Sequence, residues 1–170
     1  MRVLLVGASG FIGRSIATKA PEHFELTGTY HRNKPNLDRI ELEQFNFLDA
    51  SVDWSLIVKK YDCIIIAARA NGNTESSRNE VSRQAKNALT RFIEAVQESQ
   101  SKPFIVAVNG SLSYGECGEK LVQVDDQINP IGYARSYAIA EQPLRDFLTD
   151  GQKAAIIRAP WVIGAGSWFP

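Results

Sequence analysis

The stretch Gly7-Ala8-Ser9-Gly10-Phe11-Ile12-Gly13 decides how this chain is read, because it follows the apolar run Arg2-Val3-Leu4-Leu5-Val6 and precedes a helical pattern. Three glycines at such a junction have separate tasks. Gly7 lets the chain leave a strand in a tight turn, Gly10 lets the backbone approach a pyrophosphate, and Gly13 lets a helix press against a sheet. The N-terminus of that helix, with its unpaired N–H groups and its dipole, favours negative charge, and the Ser9 hydroxyl adds a donor. Gly7, Ser9, Gly10, Phe11, Ile12 and Gly13 are therefore expected to form a dinucleotide-binding loop. The GxxGxxG spacing is one residue longer in its first gap than the general signature, so the weight rests on the strand before it and the helix after it.

Downstream, strands and helices keep alternating. Phe11 to Ala20 has helical spacing and stops at Pro21; Phe24 to Tyr30 alternates like a strand. Glu41 to Phe47 reads as a third strand, Val52 to Tyr61 as a helix, and Cys63 to Ala68 as an apolar run suited to a parallel strand covered on both faces. A long helix from about Glu75 to Gln97, a strand over Pro103 to Val108, a helix over Ile131 to Leu148 and a strand over Ala154 to Arg158 complete the series. Six strands with intervening helices imply right-handed crossovers, hence an α/β, doubly wound parallel sheet (a Rossmann fold) filling one domain over 1–170. Its ligand should lie at the carboxyl ends of the strands.

The end of the second strand selects between cofactors. A site for NAD usually places a carboxylate there to hold two ribose hydroxyls, whereas this chain has His31-Arg32, with Lys34 nearby and no acid before Asp38. A guanidinium pairs with a 2′-phosphate through its planar fork, so NADP is the expected cofactor, with NAD as the alternative. An ordinary solvated loop would also carry these three side chains.

Composition narrows the field. The 170 residues are 44% hydrophobic and 22% charged, enough for a sizeable core and against disorder. Nineteen basic and nineteen acidic side chains give a formal net charge of zero, which marks neither a nucleic-acid partner nor a membrane surface. No apolar run approaches a membrane span and no leader pattern opens the chain, so a cytoplasmic protein is expected. Cys63 and Cys117 have neither metal spacing nor a disulfide framework, and no metal site is expected.

The chain resembles the extended short-chain dehydrogenase/reductases, the group of nucleotide-sugar epimerases, dehydratases and dTDP-4-dehydrorhamnose reductases. The resemblance rests on GASGFIG at Gly7 to Gly13, Gly28-Thr29-Tyr30-His31, Ile66-Ala67-Ala68, Tyr114-Gly115, Asn129-Pro130 with Tyr133 and Glu141, and the block Ile157 to Gly164. It implies an oxidoreductase or epimerase acting on a carbonyl or hydroxyl, such as that of a nucleotide sugar. It also implies that Asn46 and Phe47 contact adenine, that Ala67 and Ala68 pass the cofactor ribose with Arg69 as a further cofactor-binding residue, and that the chain ends where members continue into a substrate subdomain. The acid that is usual at Asn46 is absent, although an amide can still donate to and accept from an adenine edge.

The group's chemistry uses a tyrosine, a lysine four residues later on the same helical face, and a serine or threonine after the fifth strand. A phenol ionises near pH 10 and is a poor acid–base catalyst at neutrality without a neighbouring cation. Here Tyr133 falls at the tyrosine and Tyr137 at the lysine; Arg135 points to another face. Gly110 falls at the hydroxyl position, with Ser111 one residue later. Tyr133 and Ser111 are thus the candidate catalytic residues, and Tyr137 a candidate hydrogen-bonding group for the nicotinamide ribose. Without the lysine, catalysis should be feeble, which leaves a second reading: a non-catalytic NADP(H)-binding sensor or complex subunit. The terminal Trp168 and Phe169 suggest packing on the core, contact with a partner, including a second copy, or a fragment of a longer gene product.

Overall fold

A computed structural model describes residues 1–69 and 71–167. In chain order the elements are β1 (Arg2–Val6), α1 (Phe11–Lys19), β2 (Glu25–Tyr30), β3 (Glu41–Gln44), α2 (Trp54–Val58), β4 (Cys63–Ile66), α3 (Glu75–Glu98), β5 (Phe104–Gly110), α4 (Ala134–Ala140), α5 (Gln142–Thr149) and β6 (Ala154–Ala159). A single 3₁₀ turn, Ser111–Tyr114, follows β5. All six strands are parallel, in the order β3-β2-β1-β4-β5-β6. That order reverses direction between β1 and β4, the topological switch point at which doubly wound sheets open a crevice.

The alternation of β1 distributes its side chains to two cores. Leu4 and Val6 join Ile64, Ile66, Ile105 and the α2, α3 and α5 residues Val58, Phe92, Val96 and Leu144 on one face. Val3 and Leu5 join Ala17 of α1, Leu26 and Cys63 on the other. Buried on both faces, β1 is apolar throughout except at Arg2, which accounts for its legibility. Trp54 anchors the first core from the start of α2, with Phe45, Phe47 and Phe92 edge-on at ring separations of 5.3, 5.6 and 5.0 Å.

Several boundaries differ from those expected. The third strand stops at Gln44, so Phe45, Asn46 and Phe47 belong to the loop beyond it. The helix read over Val52 to Tyr61 is the single-turn α2; Asp53 caps it by accepting the N–H groups of Ser55 and Leu56. The helix read over Ile131 to Leu148 is two helices meeting at Glu141. Pro143 lies in the first turn of α5, where its missing N–H costs nothing, and cannot continue the hydrogen-bond ladder of α4.

Candidate functional site

At the carboxyl ends of the strands lies a cavity of about 320 Å³. Its floor is the fingerprint loop. Gly7 has φ +94°, and a Cβ there would lie 2.7 Å from the Ala68 backbone, so only glycine lets β1 and β4 leave the sheet this close together. Its N–H donates to the Thr29 hydroxyl at 3.0 Å, and its carbonyl accepts the Gly10 N–H at 3.0 Å. A Cβ on Gly13 would lie 2.0 Å from the Gly7 carbonyl oxygen. At Gly10 the corresponding space meets nothing nearer than 3.4 Å, and Gly10 lines the cavity together with Gly7 and Ser9. The loop is closed against the protein at Gly7 and Gly13 and open toward the cavity at Gly10.

One end of the cavity, over β2 and β3, is walled by Tyr30, His31, Phe45, Asn46 and Phe47. Phe47 is held by Trp54, and the side-chain Oδ1 of Asn46 accepts the Leu48 N–H at 3.2 Å. The other end, over β4, β5 and α4, is walled by Ala67, Ala68, Arg69, Asn109, Ser136, Tyr137 and Glu141. Here the Arg69 guanidinium lies over the Tyr137 ring, 4.3 Å from its centroid, and Tyr137 meets Tyr133 edge-on at 5.6 Å. Burial pushes the Tyr137 phenol up from its ordinary value, with Arg69 opposing that rise.

Of the residues anticipated from sequence, Gly7, Ser9, Gly10, His31, Asn46, Phe47, Ala67, Ala68, Arg69 and Tyr137 line this one cavity. Gly13 is buried beneath the loop, and the Phe11 ring extends toward Gly164. Ile12, Arg32, Tyr133 and Ser111 are not among the lining residues. Tyr133 stands at the start of α4 and is 44% exposed, and Ser111 opens the 3₁₀ turn. Trp168 and Phe169 lie outside the described residues. Sequence reading passed over Thr29, Asn109 and Ser136, although Thr29 and Asn109 sit at carboxyl ends of strands, where the fold puts ligands.

Glu141 marks the back of the cavity and is 5% exposed. Its carboxylate accepts from Arg158 Nη1 and Nη2 at 2.6 and 2.7 Å and from Arg145 Nη1 at 2.7 Å, and also from the Asn109 side-chain amide. This network joins β5, β6 and the α4–α5 junction.

The model of the NAD dependent epimerase/dehydratase family matches residues 3–168. The chain belongs to that family. A comparison with curated proteins returns no match. Among solved structures, UDP-glucuronic acid 4-epimerase from Bacillus cereus, in complex with NAD, superimposes with a TM-score of 0.79 at 19% identity over 96% of this chain and 57% of that one. A dTDP-glucose 4,6-dehydratase from Streptomyces venezuelae with NAD bound gives 0.75 at 19% identity, over 93% of this chain and 55% of its own. A hypothetical dTDP-4-dehydrorhamnose reductase from Sulfolobus tokodaii gives 0.72 at 23%, over 94% and 56%. These likenesses speak for the fold; the chain spans a little over half the length of each of these structures. Among the described residues no helix is long and apolar enough to cross a membrane, and no cluster of His, Cys, Asp and Glu could hold a metal ion.

Proposed function

We propose that the cavity binds a nicotinamide dinucleotide, NADP in preference to NAD, and that the protein acts as an oxidoreductase or epimerase on a carbonyl or hydroxyl, such as that of a nucleotide sugar. The observation that carries this reading is the loop at Gly10, open toward the cavity while Gly7 and Gly13 are closed against the protein. The residues fit such a cofactor. Gly7 to Gly13 and the start of α1 would hold the pyrophosphate, and His31, Asn46 and Phe47 the adenosine half, leaving the β4–β5 end to the nicotinamide. A bound nicotinamide supplies hydride exchange with a carbon centre.

The chain's own residues supply enclosure and proton handling. Phe47, Ile66, Ala107 and Leu144 give the cavity apolar walls, and Ser136, Tyr137 and Asn109 place polar groups among them. By resemblance Tyr133 would be the acid–base group and Ser111 its hydroxyl partner. With Tyr133 in that role, a tyrosine rather than a lysine at position 137 favours the second reading, a protein that binds NADP(H) without turnover. Calorimetry with NADP(H) and NAD(H), followed by an absorbance screen for cofactor oxidation with nucleotide sugars, separates the two: binding with turnover supports the enzyme, binding alone the sensor. No binding of either cofactor would overturn both.

A further inference from the structure

The position that the resemblance reserves for a cationic lysine holds Tyr137, yet the cavity wall around it is not without positive charge. Arg69 reaches that wall from the carboxyl end of β4, and its guanidinium lies 4.3 Å from the centre of the Tyr137 ring. Such a distance is well within the range at which a cation is attracted by an aromatic face. Tyr133 touches the same ring edge-on but is not among the cavity-lining residues, whereas Tyr137 is.

We propose that Arg69 and Tyr137 together form the acid–base unit of this cavity, with Arg69 supplying from the β4 loop the charge that a lysine on α4 would otherwise supply. The proton transferred is that of the Tyr137 hydroxyl. Its O–H bond breaks, the proton passes to an oxygen of the cavity's occupant, and the electron pair stays on the Tyr137 phenolate, whose charge the Arg69 guanidinium favours from over the ring. Reprotonation from solvent restores the phenol. The charged and titratable groups acting on Tyr137 are Arg69, Arg78 of α3 and Tyr133. The two arginines favour the phenolate, while Tyr133 and burial favour the phenol. Arg135 takes no part: its Nε donates to the Pro130 carbonyl at 3.4 Å.

The pairing itself needs no bound cofactor, and only the identity of the occupant rests on the function proposed above. The test is a carbon-13 NMR titration of the tyrosine rings in the cofactor-free chain, with the Tyr137 signal identified by its loss in Tyr137→Phe. Arg69 is exposed, so Arg69→Met and Arg69→Lys should fold, as circular dichroism will report. Arg69→Met is expected to weaken Tyr137 ionisation about tenfold, a shift of about one pH unit, and Arg69→Lys to restore most of it. An unchanged Tyr137 midpoint in Arg69→Met, or a shift confined to Tyr133, would overturn the proposal. Calorimetry with ADP-ribose on the same proteins keeps the two readings apart. Binding by wild type supports the dinucleotide reading, and its absence overturns that reading; in either case the titration result decides the pair.

Discussion

Arg158 and Glu141 meet side-on, both guanidinium nitrogens of the arginine on the carboxylate at 2.6 and 2.7 Å, and this contact ties the edge strand β6 to the junction of α4 and α5. Glu141 is buried and also accepts from Arg145 and Asn109, so removing it strands two guanidinium groups in a region of low solvent access. Loss of one partner from a buried ion pair costs about 3 to 5 kcal/mol, a large share of the stability of a single domain. Glu141→Ala is expected to lower the urea midpoint strongly. Arg158→Met, which leaves Glu141 with Arg145 and Asn109, should lower it less. Chemical denaturation of both variants checks the order, and equal losses would show that the network does not act through Glu141.

The glycine loop predicts two different failures from similar substitutions. A methyl group on Gly13 would fall 2.0 Å from the Gly7 carbonyl oxygen, so α1 must move away from the loop. Overpacking of this kind costs about 1 to 3 kcal/mol, and Gly13→Ala should lower both stability and binding. Gly10→Val fills open space on the ligand side and should keep the fold while abolishing dinucleotide binding. Thermal melts beside calorimetry separate the cases. Unchanged cofactor affinity in a folded Gly10→Val protein would show that the loop does not face the ligand.

The fold was legible because β1, β4, β5 and β6 are short, largely apolar runs and β2 alternates between turn signals, although β3 holds a single apolar residue, Leu42. Where packing partners lie far away in sequence, that legibility ended. Nothing near Glu41 shows that the strand stops at Gln44, since its end is set by where β2 ends beside it at Tyr30. The break between α4 and α5 was signalled by Pro143 but masked by apolar spacing that continues across it. Within the candidate site, the glycine loop is a local motif, and its turn at the end of β1 could be read locally. Arg69 could be placed among the cofactor residues only by resemblance, and its contact with Tyr137, sixty-eight positions later, depends on how α4 packs against α3 and the 3₁₀ turn.

Titration sets limits to stability on both sides of neutrality. Asp62 is held below the usual carboxylate range by its hydrogen bonds from Arg2, Asp126 by the Lys120 ammonium, and Asp53 by the Ser55 hydroxyl. Groups with lowered folded values contribute above their unfolded value, about 3.9, and that contribution is lost as pH falls through the folded values. Burial pushes the Cys63 thiol and the Tyr61 phenol up. Their contribution is complete below the unfolded values, about 8.5 and 10, and is lost as pH rises through the folded ones. Urea midpoints are therefore expected to be level near neutrality, to fall below about pH 4 and to fall again above about pH 8.5. Cys63→Ala should delay the alkaline fall toward the range of Tyr61; an identical alkaline flank would remove Cys63 as its cause.

Cofactor choice turns on the loop after β2. His31 lines the cavity end over β2 and β3, and Arg32 follows it on an exposed bend just outside the lining. Because the loop offers cations where a carboxylate would hold two ribose hydroxyls, a 2′-phosphate gains a charge-assisted partner there and an unphosphorylated ribose gains little. Such a partner contributes about 1.5 to 3 kcal/mol, or roughly ten- to a hundredfold in affinity. Arg32→Ala is accordingly expected to weaken NADP binding by that factor and to leave NAD binding within about twofold. Raising the salt concentration should narrow the wild-type preference, since a pair at an exposed arginine is screened. Calorimetric titration of both cofactors, at low and at high salt, measures each quantity directly. Equal losses for NADP and NAD in Arg32→Ala would mean that the arginine supports the loop rather than reading the phosphate, and His31 and Lys34 would then be the side chains to replace next.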